Sequence, residues 1–306
     1  MTNRYFTERK VCPSCASRKV RELYSAPFDE GPVREYLEAF YSLQGGVEFE
    51  YLKGASYVLV ECCDCGLIFQ REILNDEVMG RLYGSWIDPD KVYDLDCRQA
   101  GYQRNVAHTQ EIMQILAFFG KAPASLRLLD FGMGWGQWAR MAKAFGCDSY
   151  GFELCSRRIE VASADGIKVI AWDDIPLLQF DFVNTEQVFE HVPNPLETML
   201  YLKKSLRPGG LLKISVPTAH NIERRLKRMD WRAPKWSRYS LNPVAPLEHI
   251  NFFRKRSLLK MAEIADMKSI RVPLQMKYHY ATTRQWFWSL VKDILRPDNY
   301  LLLEKV

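Results

Sequence analysis

Residues 126–136 read Leu-Arg-Leu-Leu-Asp-Phe-Gly-Met-Gly-Trp-Gly, an apolar run that ends in an acid and opens into glycines at alternate positions. Leu126 to Phe131 has the length and composition of a buried strand. Gly132, Gly134 and Gly136 form a turn, and Gln137 to Phe145 reads as a helix closed by Gly146. Outward from here the same order repeats. Ser149 to Leu154 is a second strand carrying Glu153, and Ile167 to Ala171 is a third that leads to Trp172, Asp173 and Asp174. Phe180 to Asn184 is a fourth, running into Thr185-Glu186-Gln187 and then Glu190-His191-Val192-Pro193. Asn194 caps and Pro195 opens the next helix, Gly209 and Gly210 end it, and Leu211 to Val216 is a fifth strand. This alternation predicts an α/β fold with a parallel sheet covered on both faces and ligands at the carboxyl ends of its strands. Lys268 to Leu274 and Asn299 to Glu304 read as a sixth and a seventh strand.

The chain has 306 residues, 47% of them apolar and 26% charged, with a net charge of +5. That composition excludes disorder, collagen and coiled coil, and the length suggests two domains. No apolar run approaches a membrane span, and MTNRYFTERK has no signal-peptide core, so a cytoplasmic protein is expected. Eight cysteines in such a setting point to metal or burial before disulfides. Cys12 and Cys15 stand as C-P-S-C, and Cys62 and Cys65 as C-x2-C-G, with 46 residues between the pairs. Two such knuckles make a closed, tetrahedral, structural Zn2+ site, with Cys63 as an alternative ligand. Cys97, Cys147 and Cys155 lack partner spacing and read as core residues. The expected domains are therefore a zinc-ribbon module over 1–83, a connector without periodicity over 84–101, and an α/β domain over 102–306. The last opens with a helix over 102–119 and carries inserts at 219–248 and 275–298.

The glycine spacing is G-x-G-x-G, whereas the dinucleotide fingerprint places its third glycine at 137, where this chain has Gln. LLDFGMGWG, GFE, AWDD, FDFVNTEQVFEHVPNP and LKKSLRPGGLLKISVPT together resemble the ordered motifs of class I S-adenosylmethionine-dependent methyltransferases. The resemblance implies a seven-stranded Rossmann-like sheet. It also implies a cofactor site in which Gly132, Gly134 and Gly136 cradle the methionine moiety, Glu153 holds the ribose, and Trp172 and Asp173 flank adenine. Asp130 is placed to orient the partners of the methionine amine.

The whole chain is similar to a bacterial group that includes sugar C-methyltransferases, which pair a C-x2-C…C-x2-C-G module with this core. Pro246-Leu-Glu-His-Ile-Asn-Phe-Phe253 resembles that group's Glu-His segment, with Pro246 where a tyrosine is usual. The resemblance implies that Glu248 and His249 meet the acceptor, with His249 as base steadied by Glu248; His191, after strand four, is the other candidate base. Residues Ile222 to Arg238 hold seven basic residues against two acidic ones, interleaved with Trp231 and Trp236. Such a segment suits a diphosphate and a base or sugar, or equally a solvated helix face. The expected partner is a small, phosphate-bearing acceptor, most simply a nucleotide-linked or phosphorylated sugar, methylated on carbon or oxygen. An RNA-modifying enzyme using the ribbon and basic insert, and a non-catalytic zinc-ribbon adaptor, are the other readings. The aromatic insert, Tyr278-His279-Tyr280 and Trp286-Phe287-Trp288, reads as a packed helix, a lid or a homodimer surface.

Overall fold

The computed structural model describes residues 3–217, 221–235, 237–271 and 300–306, with the backbone alone over 94–100. The chain divides into two compact units, each drawn from separated stretches. The first takes Met1–Gln99, Gln187–Thr198 and Val216–Ile264; the second takes Ala100–Glu186, Met199–Ser215 and Ala265–Val306.

The second unit holds the main sheet. Its strands are β1 (Arg127–Phe131), β2 (Asp148–Phe152), β3 (Lys168–Val169), β4 (Phe180–Glu186), β5 (Leu206–Ser215), β6 (Met267–Ile270) and β7 (Tyr300–Lys305). Their spatial order is β3-β2-β1-β4-β5-β7-β6. The first five are parallel, as the alternation predicts, while β7 runs antiparallel to both β5 and β6, so the seven-stranded sheet is mixed. Leu128, Phe182, Leu211 and Leu302 from four strands pack with Trp138 in one buried cluster. Each fully buried Leu or Phe contributes about 1.5–3 kcal/mol. The strand order turns back between β1 and β4, where Asp130 lies in register with Asn184. Such a switch point opens a crevice at the strand ends.

Two boundaries differ from expectation for local reasons. The helix Pro195–Ser205 stops before Gly209 and Gly210, which instead lie in an irregular opening stretch of β5, with Gly209 at φ 73° and a register shift between Leu206 and Leu211. Residues read as a connector form a π-turn over Leu82–Trp86 and then a helix, Pro89–Phe119, broken at Gly101. The Asp88 carboxylate accepts from the N–H groups of Asp90 and Lys91, with Pro89 at the first turn. Cap chemistry, not an apolar stripe, starts this helix.

In the first unit, strands Asn251–Phe252, Ile68–Gln70, Ser56–Cys62 and Val20–Pro27 form an antiparallel sheet in that order, and Phe6–Glu8 pairs with Glu72–Leu74. The helix Gly31–Tyr41 buries Val33, Leu37 and Tyr41. These join Phe28, Tyr57, Trp86 and, from the carboxyl half, Ile222, Trp231 and Val244 in a single core. The sheet that carries the second cysteine knuckle is thus completed by a strand more than 180 residues later in the chain. Among the described residues no helix is long and apolar enough to cross a membrane. The aromatic insert, His220 and Trp236 lie outside the described residues.

Candidate functional site

In the second unit the chain reverses as soon as β1 ends. Gly132 and Met133 both donate their N–H to the Phe152 carbonyl, at 2.9 and 3.0 Å. Gly132, Gly134 and Gly136 have φ of 73°, 55° and 73°, the left-handed region that side chains disfavour by about 1–2 kcal/mol. A Cβ on Gly136 would lie 3.1 Å from that of Ala162, whereas one on Gly134 would meet nothing within 4 Å. Gly136 is small for packing; Gly134 leaves open ground above the turn. Glu153 follows β2, and its carboxylate accepts the Gly134 N–H at 2.9 Å and those of Leu154 and Cys155 at 2.8 and 3.1 Å. The acid expected at a ribose therefore also holds the shape of the glycine turn.

Asp130, buried at the switch point, accepts from the Asn184 amide at 2.8 Å. Burial pushes its carboxyl up to about 7, against the pull of the Asn184 bond and the Lys213 charge. Lys213 is itself buried in β5, with Nζ 2.6 Å from both Glu111 and Glu186. Burial works against its charge, and the two carboxylates more than offset that. The sequence pattern assigned no role to Lys213, Glu111 or Glu186. Trp172 keeps an exposed face and stacks on Tyr201 at 4.3 Å, and Asp173 beside it is exposed.

The histidines belong to the first unit and are placed by a buried polar hub. Asn251 donates through its amide to the carbonyls of Phe189 and Val192, and through its N–H to that of Glu190. Arg9 donates to Asn251 Oδ1 at 2.7 Å and to the carbonyls of Ile250 and Gln70, both at 2.6 Å. Gln70 in turn holds the carbonyls of Ala245 and His249. Segments 189–192 and 245–251 are thereby fixed together. His191 Nδ1 lies 2.8 Å from the Glu248 carbonyl and 3.1 Å from the Tyr83 hydroxyl, and His249 Nδ1 bonds the Asn242 carbonyl. A carbonyl only accepts, so each Nδ1 carries a hydrogen, and in the neutral form the lone pair lies on Nε2. The ring centroids are 5.0 Å apart. Burial, with the nearby His191 and Lys235, pushes His249 down to about 3, so the ring is neutral. The expected contact from Glu248 to His249 is absent: the Glu248 carboxylate instead accepts from the Tyr41 hydroxyl at 2.7 Å, and it is the Glu248 backbone that orients a histidine, His191.

A model of the methyltransferase domain family matches residues 102–271, more than half of the chain. The chain belongs to the methyltransferase family. Its activity is S-adenosylmethionine-dependent methyl transfer, as the motif order implied. Among solved structures it is similar to the plantazolicin methyltransferase BpumL in complex with SAH, at 16% identity over 75% of this chain and 94% of that one, with a TM-score of 0.50. That likeness concerns the fold. CalS10, an amino pentose methyltransferase from Micromonospora echinaspora, is matched at 21% identity over 42% of this chain and 56% of that one, with a TM-score of 0.36. No curated protein matches the chain.

The methyltransferase also brings its four knuckle cysteines together. Cys12 and Cys65 Sγ are 3.6 Å apart, as are those of Cys15 and Cys62, and all four lie within 4.8 Å of one another. Thiolates at ~2.3 Å around zinc would stand about 3.8 Å apart, so the set fits a structural zinc with no open position. The Cys12 thiol, hydrogen-bonded to Cys65 and buried, is pushed well up, while the same bond draws Cys65 down to about 5. Cys63 is exposed and outside the cluster, and Cys147 is buried as expected.

The methyltransferase's basic segment is only partly available to a ligand. Arg225 donates to the Ser240 carbonyl, Arg228 pairs with Asp230, and Arg232 pairs with Glu35. What the segment does build is the wall of a cavity of about 890 Å³, where Trp231 meets Tyr24 and Tyr36, with Phe40, Lys235 and Asn242 at the lining. Lys235 Nζ lies 5.2 Å from the Phe40 ring centroid. Asn242 also accepts the His249 bond, so cavity wall and histidine pair share a residue.

Proposed function

We propose that the enzyme methylates a small acceptor with a flat or sugar-like face and one anionic group. The observation that carries this reading is the cavity of about 890 Å³ in the first unit, with aromatic walls, Lys235 at its lining and Asn242 joining it to His249. Rings favour stacking on the half-buried Tyr36 and Phe40, and the ammonium of Lys235 suits a phosphate or carboxylate. Of the charged residues at the lining, Arg232 pairs with Glu35 and Asp230 with Arg228, and Lys235 is the cation offered to a ligand; one such cation suits a single anionic group better than a long polyanion, and this favours a nucleotide-linked or phosphorylated sugar over RNA.

When bound, S-adenosylmethionine supplies a methyl group on a sulfonium. In this reading Gly132, Gly134 and Gly136 give it close backbone approach and Glu153 accepts from its ribose while shaping the turn. Trp172 and Asp173 take the adenine, and Asp130, set by Asn184, orients the amine end. For the acceptor, Nε2 of His249, or of His191, accepts the hydrogen bond of the group to be methylated and takes its proton as the methyl arrives, a late transfer where the base is the weakly basic His249, while Glu248 braces the site through Tyr41 and its own carbonyl. Transfer is an in-line displacement, so positioning and proton removal are the work left to the protein.

The test is turnover, read as S-adenosylhomocysteine formed, across a panel of sugar phosphates, nucleotide sugars, their neutral parents and short RNAs. The reading expects turnover with an anionic sugar, and a KM raised about tenfold or more by Lys235→Ala with cofactor affinity unchanged. Turnover confined to RNA, with affinity falling steeply in salt, would overturn it.

A further inference from the structure

One cluster in the first unit offers more than a base. Glu190, His191 and His249 each present one ligand atom, and these atoms all lie within 4.8 Å of one another. Glu190 is buried, with Oε1 3.9 Å from His191 Nε2. Both imidazoles have their Nδ1 hydrogen committed to a backbone carbonyl, Glu248 for His191 and Asn242 for His249. That fixes the tautomer and makes Nε2 the ligating nitrogen of each ring, that of His191 lying beside the Glu190 carboxylate. Histidines that hold metals are oriented in this way, the far ring nitrogen donating to a carbonyl or carboxylate.

We infer that Glu190, His191 and His249 form a second metal site, distinct from the four cysteines, that takes one divalent cation of the first transition row. Two imidazoles and one carboxylate are the donor set of open, catalytically useful sites, unlike the closed thiolate cluster. Ligands at ~2.1 Å on neighbouring positions stand about 3 Å apart, so closing the cluster takes shifts of about 1 Å, within the reach of side-chain rotation. Arg9, Asn251 and Gln70 hold the two segments that supply the ligands, and Tyr83 bonds His191.

The inference rests on the reading that the histidine pair serves the acceptor, and it narrows the acceptor's class; with both Nε2 lone pairs on the ion, loss of the proton to solvent takes the place of a histidine base. Three protein ligands leave positions for acceptor oxygens, so the substrate carries a hydroxyl able to ligate. On coordination the hydroxyl gives up its proton to solvent, as metal-bound water does. Its oxygen then forms a bond to the methyl carbon while the sulfur-methyl bond breaks, the electron pair returns to sulfur, and S-adenosylhomocysteine is left.

The probe is Mn2+, which thiolates disfavour, titrated into the full chain carrying its cysteine-bound zinc, with neither cofactor nor acceptor present. The expected result is one Mn2+ bound per chain, with affinity at least tenfold weaker in Glu190→Gln, His191→Ala and His249→Ala. No Mn2+ bound by the unmodified chain, or equal affinity in all three ligand variants, would overturn the proposal. The titration of the unmodified chain decides the matter even where a variant does not fold. Because no turnover is read, a negative result leaves the histidine-as-base reading standing. A failure of that reading would show instead as full activity in both histidine variants.

Discussion

The glycine turn and the histidine cluster are built in opposite ways. The turn is assembled by the backbone from residues close in sequence: three left-handed glycines, one carbonyl at Phe152 and one carboxylate at Glu153. The cluster is assembled by side chains from Arg9, Tyr41, Gln70, Tyr83, residues 190–191 and residues 242–251, tied through a buried guanidinium and amide. Burial draws the Arg9 guanidinium down to about 9, which leaves it charged at neutral pH. A backbone site of the first kind is fixed by local geometry and tolerates drift elsewhere. A side-chain site of the second kind depends on every member of its network, and this makes it the part where acceptor chemistry can diverge.

That contrast can be broken by substitution. The largest expected effect is at His249: His249→Ala should lower turnover by about two to four orders of magnitude while leaving cofactor affinity within about twofold, because proton removal contributes on that scale. Near-normal turnover in His249→Ala with a loss in His191→Ala would move the base to His191. Next comes the cysteine cluster. Cys12→Ser should release one equivalent of zinc and cost about 4 kcal/mol or more in a denaturant melt, since the metal is folding energy for so small a sheet. Unchanged zinc content would remove the cluster from the account.

Asp130 tests the turn's side of the contrast through pH. Its folded-state carboxyl stands near 7 through burial, above its ordinary value of 3.8, so the native protein holds that proton more tightly than the unfolded chain does. The stability it contributes is full below about pH 4 and is lost as pH rises toward 7, on the order of a few kcal/mol. Asp130→Asn should flatten that part of the profile in thermal melts between pH 4 and 7; a slope that persists unchanged would assign it to another group. The smallest effect is expected at Tyr41→Phe, which strips the enclosed Glu248 carboxyl of its donor and should cost about 1–3 kcal/mol by urea unfolding. S-adenosylmethionine affinity should not change, and a parallel loss of affinity would show that the two sites are not built independently.

The contrast also explains what the sequence made legible. Strand, glycine turn and terminal acid follow from residues within about 25 positions of each other, and 3.6 or 2 residue periodicity reads such stretches directly. The C-x2-C spacing carries its own geometry, and the four thiols meet as the spacing predicts. His191, Glu248 and His249 stood out only as a resemblance, and their orientation was not readable: Glu248 turns to Tyr41, a partner 207 positions away. Glu190 was in view beside His191, but nothing in a single sequence marks which of two adjacent residues faces a ring 58 positions on. Arg9, Asn251 and Lys213 were missed for a similar reason, as polar residues enclosed by the fold look like surface ones until their partners are known. The reversed β7 was missed because strand direction leaves no trace in a short apolar run.

The central claim is that S-adenosylmethionine binds on the glycine turn of the second unit, and isothermal titration of the cofactor into the full chain tests it most directly. One site per chain is expected, lost by at least a hundredfold in Gly134→Arg, where the new side chain enters the open ground above the turn at a φ of 55°, and unchanged in His249→Ala. No binding to the unmodified chain, or binding that Gly134→Arg leaves intact, would contradict it.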